Sequence, residues 1–279
     1  MSQSKLPKNT QSRLTGSRPT ILNLVQNKHD HLLFIHGLGS SADRWLDIPL
    51  ALSLYFHTVA IDLPGSGMSD KPQPSDNMKY TIQDLSNFIV QFIHKIGIDN
   101  GKTSLVGHSL GGFIAAQVAI QNKELVRELV LVDTSGMLGG PTPLLKHYLQ
   151  AALNPTRHSV REVFEQLVAN PIRIPDVLVD GFIYRIGLLG AKEAFVAAFN
   201  DSVNTQLGKG RLAQIRNKTL VIWGSHDRLI PVKPYFKIFG QTIKGSKQVL
   251  IEDAGHAPFA EKPAVVCEVL RTSWFQTHV

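Results

Sequence analysis

The chain has one cysteine, Cys267, among 279 residues. An intramolecular disulfide is therefore excluded, and so is a metal centre built from several thiolates. Such sparing cysteine use suits a reducing compartment, so a cytoplasmic location is expected. Long apolar runs are also missing. None approaches the ~18 residues of a membrane span, so no stable membrane insertion is expected. Acidic residues are absent from 1–29, which hold Lys5, Lys8, Arg13, Arg18 and Lys28 and a charge of +5. The rest of the chain adds only +2 to reach the net +7. Basicity thus belongs to the leading segment and not to a folded surface, which argues against a nucleic-acid partner. Residues 1–18 read as a basic, disordered tail without the apolar stretch of a secretion signal, although a transit peptide would share its composition. No glycine-rich phosphate loop with a lysine occurs, and no cluster has metal-ligand spacing. The expected cofactors and metals are none.

What remains is a composition able to form a core, with 43% hydrophobic and only 18% charged residues. Short apolar runs alternate with helical patterns, which predicts βαβ units and a mostly parallel sheet. HLLFIHG (31–37), TVAIDLPGSG (58–67), TSLVGHS (103–109), ELVLVD (128–133), TLVIWG (219–224) and KQVLIED (247–253) read as its strands. Ile82, Leu85, Phe88, Ile89, Phe92, Ile93 and Ile96 recur at helical spacing, Gly111 to Ile120 reads as a crossover helix, and 263–275 as a C-terminal helix. Between 136 and 205 the strand rhythm stops. Helices are expected at about 143–153, 176–189 and 191–204, with a capping box at Ser159–Glu162 opening another. The domain reading is a core over 19–135 and 206–279, interrupted by a helical cap over 136–205.

Within the third strand, Gly107-His108-Ser109-Leu110-Gly111 brackets one serine between glycines where a strand becomes a helix. A turn that sharp has no room for side chains on either flank, so glycine fits there. It would hold the Ser109 hydroxyl clear of the backbone, beside a helix N-terminus that favours negative charge. That geometry suits a nucleophile. A serine needs a base to take its proton, and the base needs an acid to orient it. Asp227 and His256 lie on the loops after two later strands, in the order Ser109, Asp227, His256 expected for a nucleophile-elbow triad. Asp133 also ends a strand and stays open as a rival for the acid. His36 and His108 read as packing residues, and Asp62 as a residue that orders its loop.

Residues 31 to 275, outside the cap, resemble the α/β-hydrolase fold family, carried by HGLGSS, DLPGSGMSDKP, VGHSLGG, WGSHDRLIP and GHAPFAEKP. The resemblance implies a mostly parallel central sheet with flanking helices and a helical cap inserted between strands. It implies an oxyanion hole made by the backbone N–H groups of Leu38 and Leu110. Serine at 109 sets the chain apart from relatives that attack with aspartate. The reading is a serine carboxylester hydrolase whose partner is a small apolar ester. Leu144, Leu145, Phe164, Leu167, Phe182, Leu188, Phe195 and Phe199 are candidates for its apolar pocket or for cap core. Two alternatives stand beside it, a carbon–carbon bond hydrolase of ring-cleavage products and a ligand receptor on the same scaffold. The first often carries a cap arginine at the substrate carboxylate, where Arg185 could lie, and a tryptophan where this chain has Ala257. Arg185 is read here as a residue of a solvated helix face.

Overall fold

The computed structural model describes residues 21–24, 30–45, 47–74, 78–170 and 174–275; the tail read at 1–18 lies outside them. Seven strands form one sheet: β1 (Ile21–Leu24), β2 (His31–Ile35), β3 (His57–Ile61), β4 (Thr103–His108), β5 (Val126–Val132), β6 (Lys218–Gly224) and β7 (Lys247–Ile251). Their spatial order is β1-β3-β2-β4-β5-β6-β7, with β1 antiparallel to β3 and every other pair parallel. Parallel neighbours need crossover connections, and helices supply them. The apolar runs of β2 to β6 are continuous because both faces of the sheet are covered there, whereas on the edge strand β7 only Ile251 is buried. Side chains alternate between two cores: Leu32 and Phe34 of β2 enter one, Leu33 and Ile35 the other. Val130 and Val132 against Leu129 and Leu131 repeat the pattern on β5, as Leu220 and Ile222 against Val221 and Trp223 do on β6.

The helices are α1 (Ile48–Leu52), α2 (Ile82–Lys95), α3 (Leu110–Gln121), α4 (Pro143–Leu153), α5 (Arg157–Leu167), α6 (Asp176–Ile186), α7 (Ala191–Asn204), α8 (Gly208–Leu212), α9 (Val232–Thr242), α10 (Pro258–Glu261) and α11 (Pro263–Glu268). Helix α2 begins where Thr81 and Asp84 cap each other, the Asp84 amide donating to Thr81 Oγ1 at 3.0 Å. Its apolar stripe then packs on the sheet. Helix α3 differs, since every residue from Leu110 to Ala119 is buried. Five of the described helices, α4 to α8, fall between β5 and β6 in sequence. Among the described residues no helix is long and apolar enough to cross a membrane.

The structure corrects two expectations and adds a helix. Helix α5 is capped by Thr156, with Ser159 at its third position, because Thr156 has the extended backbone of a cap and its Oγ1 accepts from the Ser159 amide at 3.0 Å. The C-terminal helix stops as an α-helix at Glu268 and widens into a π-helical segment over Val269–Trp274. Helix α9 was not foreseen; Phe239 is buried and Tyr235, Phe236 and Ile238 pack half-buried beside it, but Lys233 and Pro234 interrupt its first turn, where the backbone at Lys233 is not helical.

Burial of α3 should make its core contacts expensive to lose. Phe113→Ala, at a fully buried position, is expected to cost ~3–5 kcal/mol of unfolding free energy. Urea titration at unchanged m would read it as a lower midpoint. Lys95→Ala, in the exposed last turn of α2, should change stability by less than ~0.5 kcal/mol.

Candidate active site

Ser109 sits between β4 and α3 at φ +53° and ψ −117°. A serine rarely adopts that conformation, which costs on the order of 1–3 kcal/mol and persists only where surrounding structure imposes it. The surroundings here are backbone on both sides. A Cβ on Gly107 would lie 2.3 Å from the Gly111 carbonyl oxygen, and one on Gly111 would lie 2.2 Å from that of Ile35. The Ser109 amide donates to Val132 O at 3.0 Å, and its carbonyl accepts from Gly112 and Ser135 at 3.0 and 3.1 Å. Leu110 opens α3, where backbone N–H groups lack intrahelical acceptors. The loop after β2 packs directly on this turn, where a Cβ on Gly37 would lie 3.0 Å from Ser109 Cβ. It brings Leu38 to the same cavity that Ser109 and Leu110 line.

Asp227 and His256 meet from the loops after β6 and β7. The His256 Nδ1–H donates to Asp227 Oδ2 at 2.8 Å, leaving Nε2 with its lone pair. The other carboxyl oxygen, Oδ1, accepts from the amides of Leu229 and Ile230 at 2.8 and 3.0 Å. Both side chains are almost fully buried, at 5% exposure for His256 and 0% for Asp227, and His256 lines the cavity with Ser109. Asp133 lies beside them, its Oδ1 accepting from the Gly224 amide at 2.9 Å. Among the described residues, Asp133, Asp227 and His256 are the one group of acids and histidines close enough to share a metal ion. Asp227 and the His256 Nδ1 are already engaged with one another.

The remaining polar residues hold loops. His36 donates from Nδ1 to Gly37 O at 2.7 Å and accepts at Nε2 from the Leu63 amide at 3.0 Å. Burial pushes its pKa down, and the neutral ring is the form that can make both bonds. His108 donates from Nε2 to the His256 carbonyl at 2.8 Å and is likewise held neutral by burial and by the neighbouring His256. Asp62 accepts from the Ala42 and Met68 amides at 2.6 and 2.8 Å, which ties two loops together as expected.

Arg185 is not on a solvated face. Its side chain is only 18% exposed, pairs with Asp43 at 3.5 Å and lines the cavity. The sequence held the signal, because Arg185 falls between Phe182 and Ile186 on the stripe of α6 that is buried. Arg44 lines the cavity too and was not singled out; nor was Tyr148, whose hydroxyl donates to Leu38 O at 3.1 Å. The cavity measures about 400 Å³. Of the apolar cap candidates, Leu145, Phe164, Leu167 and Phe182 line it, Phe195 lines a smaller adjoining pocket, and Leu144 and Phe199 are buried in the core. Leu188 lines neither.

The alpha/beta hydrolase family model matches residues 32–269. The chain belongs to the alpha/beta hydrolase family. This hydrolase is 30% identical over 237 residues to a dihydrolipoyllysine-residue acetyltransferase component of an acetoin cleaving system from Cupriavidus necator, covering 83% of the chain but only 60% of that relative. A 2-hydroxy-6-oxo-6-(2'-aminophenyl)hexa-2,4-dienoic acid hydrolase of Metapseudomonas resinovorans is 26% identical, over 86% of the chain and 82% of that protein. A pimeloyl-[acyl-carrier protein] methyl ester esterase of Wigglesworthia glossinidia brevipalpis is 25% identical, over 91% and 97%. Among solved structures, a bacterial membrane phospholipase A superposes with a TM-score of 0.79 at 26% identity, over 93% of this chain and 83% of that one.

The histidine loop of this hydrolase is fastened to the helical insertion. The His256 amide donates to Leu167 O at 2.7 Å. Glu261 accepts from the Gly255 amide at 2.6 Å and from the Ala169 amide at 2.8 Å. Glu261→Ala removes both charged acceptors and should cost ~1.5–3 kcal/mol, the range for bonds to charged groups. Hydrogen exchange should quicken at Gly255 and Ala169 while the amides of β2 and β4 keep their protection. Equal loss across all four would show global weakening instead of a loosened clamp.

Proposed function

We propose that this hydrolase cleaves carboxylic esters of small to medium, largely apolar substrates through an acyl-enzyme. The observation that carries the reading is a strained Ser109 opening on the same cavity as a buried His256 whose Nδ1 is bonded to Asp227. In this mechanism His256 Nε2 takes the Ser109 proton as the hydroxyl oxygen attacks the ester carbonyl. Asp227 fixes the ring tautomer and stabilises the imidazolium. Charge on the tetrahedral intermediate falls to the Leu38 and Leu110 amides, with the N-terminus of α3 behind them. His256 returns the proton to the leaving alcohol, then deprotonates the water that releases the acid. The apolar cavity wall keeps bulk water from that intermediate. The ester relative from Wigglesworthia supports this choice of bond. The partner is a small molecule, with no nucleic acid and no membrane insertion, and the cytoplasm is the proposed compartment.

A specific observation favours a second reading. Arg44 and Arg185 both line the cavity, and the Nε of each is buried without a hydrogen-bond partner. A substrate with an anionic group would complete them, since bidentate contact to a carboxylate suits guanidinium geometry. That supports a carbon–carbon hydrolase acting on an anionic dienoate, the chemistry that names the Metapseudomonas relative. The receptor reading gains no such support.

Ser109→Ala should leave folding intact and reduce p-nitrophenyl ester turnover by several orders of magnitude, on the order of 10⁴ or more. A fluorophosphonate probe should label the wild type and miss the variant; labelling elsewhere with activity retained would end the serine mechanism. Arg185→Met then separates the two substrate classes. Neutral ester turnover is expected to change less than ~5-fold, whereas any substrate whose carboxylate meets Arg185 should lose ~10–100-fold in kcat/KM. Efficient wild-type cleavage of a vinylogous diketone acid that collapses in Arg185→Met would promote the second reading over the first.

A further inference from the structure

Asp133 is fully buried at the end of β5, with its backbone at φ +43°. The ester mechanism gives it no task. Its two carboxyl oxygens are treated unequally. Oδ1 accepts from the Gly224 amide at 2.9 Å, while Oδ2 is buried with no donor to accept from. One oxygen of Asp133, one of Asp227 and one ring nitrogen of His256 all lie within 4.8 Å of one another. The charged and titratable groups facing Asp133 are Asp227 on the β6 loop, His256 on the β7 loop and Glu261 on α10. A second bare carboxylate here would leave a buried oxygen unsatisfied next to two like charges. A protonated carboxyl solves both problems, because its O–H can donate to the neighbouring acid.

We propose that Asp133 is a positioning residue that keeps its carboxyl proton and donates it to Asp227, so that the two acids hold one negative charge between them against His256. This rests on reading His256 as the base and Asp227 as its acid. Burial first, and then the charge of Asp227, hold the Asp133 carboxyl well above the usual range, which agrees with the geometry. The hydrogen bond keeps the Asp227 carboxyl turned towards the imidazole. The arrangement also has a reserve. If Asp227 is made neutral, Asp133 can release its proton and still place a negative charge beside the imidazolium.

A double-mutant cycle on ester hydrolysis tests the proposal, with infrared spectra and melting curves as readouts that need no turnover. Asp133→Ala removes the donor and should lower kcat ~10-fold at little-changed KM, and Asp133→Asn, whose amide restores a donor, should recover most of it. Asp227→Asn should retain activity above the Ser109→Ala level, and Asp133→Asn/Asp227→Asn should lose at least ~10-fold more. No further loss in the double variant overturns the proposal, as does an Asp227→Asn already at the floor. So does an Asp133→Asn as damaged as Asp227→Asn, which would make Asp133 the ionised acid. In the infrared, a protonated-carboxyl C=O band should be present in the wild type near neutral pH and absent from Asp133→Asn; a wild type without it overturns the proposal outright. Melting gives the same answer by linkage. The unfolded chain releases this proton above about pH 4 and the folded chain retains it, so stability falls as pH rises from there. Asp133→Asn should escape that loss, melting above the wild type at about pH 8 with the gap closing near pH 4. If the band and the melting gap appear while Ser109→Ala keeps its activity, the proton assignment stands and the serine mechanism fails.

Discussion

The hydrogen bond between His256 Nδ1 and Asp227 Oδ2 is the contact on which the rest of the site depends. A carboxylate with no exposed surface is tolerated only where donors surround it. Asp227 has three, from Leu229, Ile230 and His256. Two of these are backbone amides of its own turn, so the strand-to-loop geometry after β6 supplies most of the solvation that burial removes. The third belongs to the imidazole. Ring orientation and tautomer are therefore fixed by the same bond that makes the buried acid tolerable. Losing either partner would leave the other with an unmet desolvation cost.

That bond spans two loops, and each is anchored by the element behind it. β6 and β7 lie side by side in register from Leu220 to Gly224, which sets the spacing at which their C-terminal loops emerge. The Ser225 amide continues the pairing to Ile251 O, and the His226 amide reaches Ala254 O at 2.8 Å. From the other side the end of α5 presses on the histidine loop. A Cβ on Gly255 would stand 2.2 Å from Leu167 O, so only glycine allows the approach that lets the His256 amide bond there. The helical insertion consequently forms part of the cavity wall and, through Leu167 and Glu261, part of the scaffold of His256. The end of α5 and the backbone that carries the imidazole are thus in direct contact.

The sheet was legible because strands covered on both faces show as unbroken apolar runs, which holds for β2 to β6; β7, an edge strand with only Ile251 buried, was read from the short Val249–Ile251 run alone. β1 could not, being a four-residue edge strand too short to carry a pattern. The amphipathic helices α2 and α4 were legible from their periodicity, whereas α9 is short and interrupted at Lys233 and Pro234, so its packed residues Tyr235, Phe236 and Phe239 did not stand out. For the site, glycines around Ser109 and strand-end loops around Asp227 and His256 were readable because backbone geometry dictates residue type there. Arg44, Tyr148 and Glu261 were not. Their roles come from contacts made across the fold, such as Tyr148 to Leu38, that no local spacing encodes. Arg185 was misread through its charge, although its place on the α6 stripe pointed inward.

Charge in the cavity wall is the remaining constraint on what the site accepts. Asp43 faces Arg185 and Arg44 at 3.5 and 3.8 Å, one acid against two cations. Burial alone would raise its pKa, but the Ser41 hydroxyl and the two guanidinium groups outweigh that and hold it ionised. Positive charge thus predominates at this end of a largely apolar lining, whose other acid, Glu261, is engaged by the Gly255 and Ala169 amides. In a water-filled cavity that excess is solvated at little cost. Once a substrate displaces the water, the same charge requires an anion or a retained water to replace what was lost. An apolar ester that fills the cavity to Arg185 would strip both cations, and one that stops short of them would not. On the ester reading proposed above, proximity to the arginines, more than apolar volume, would limit the size of a neutral substrate, and a carboxylate at that end would lift the limit.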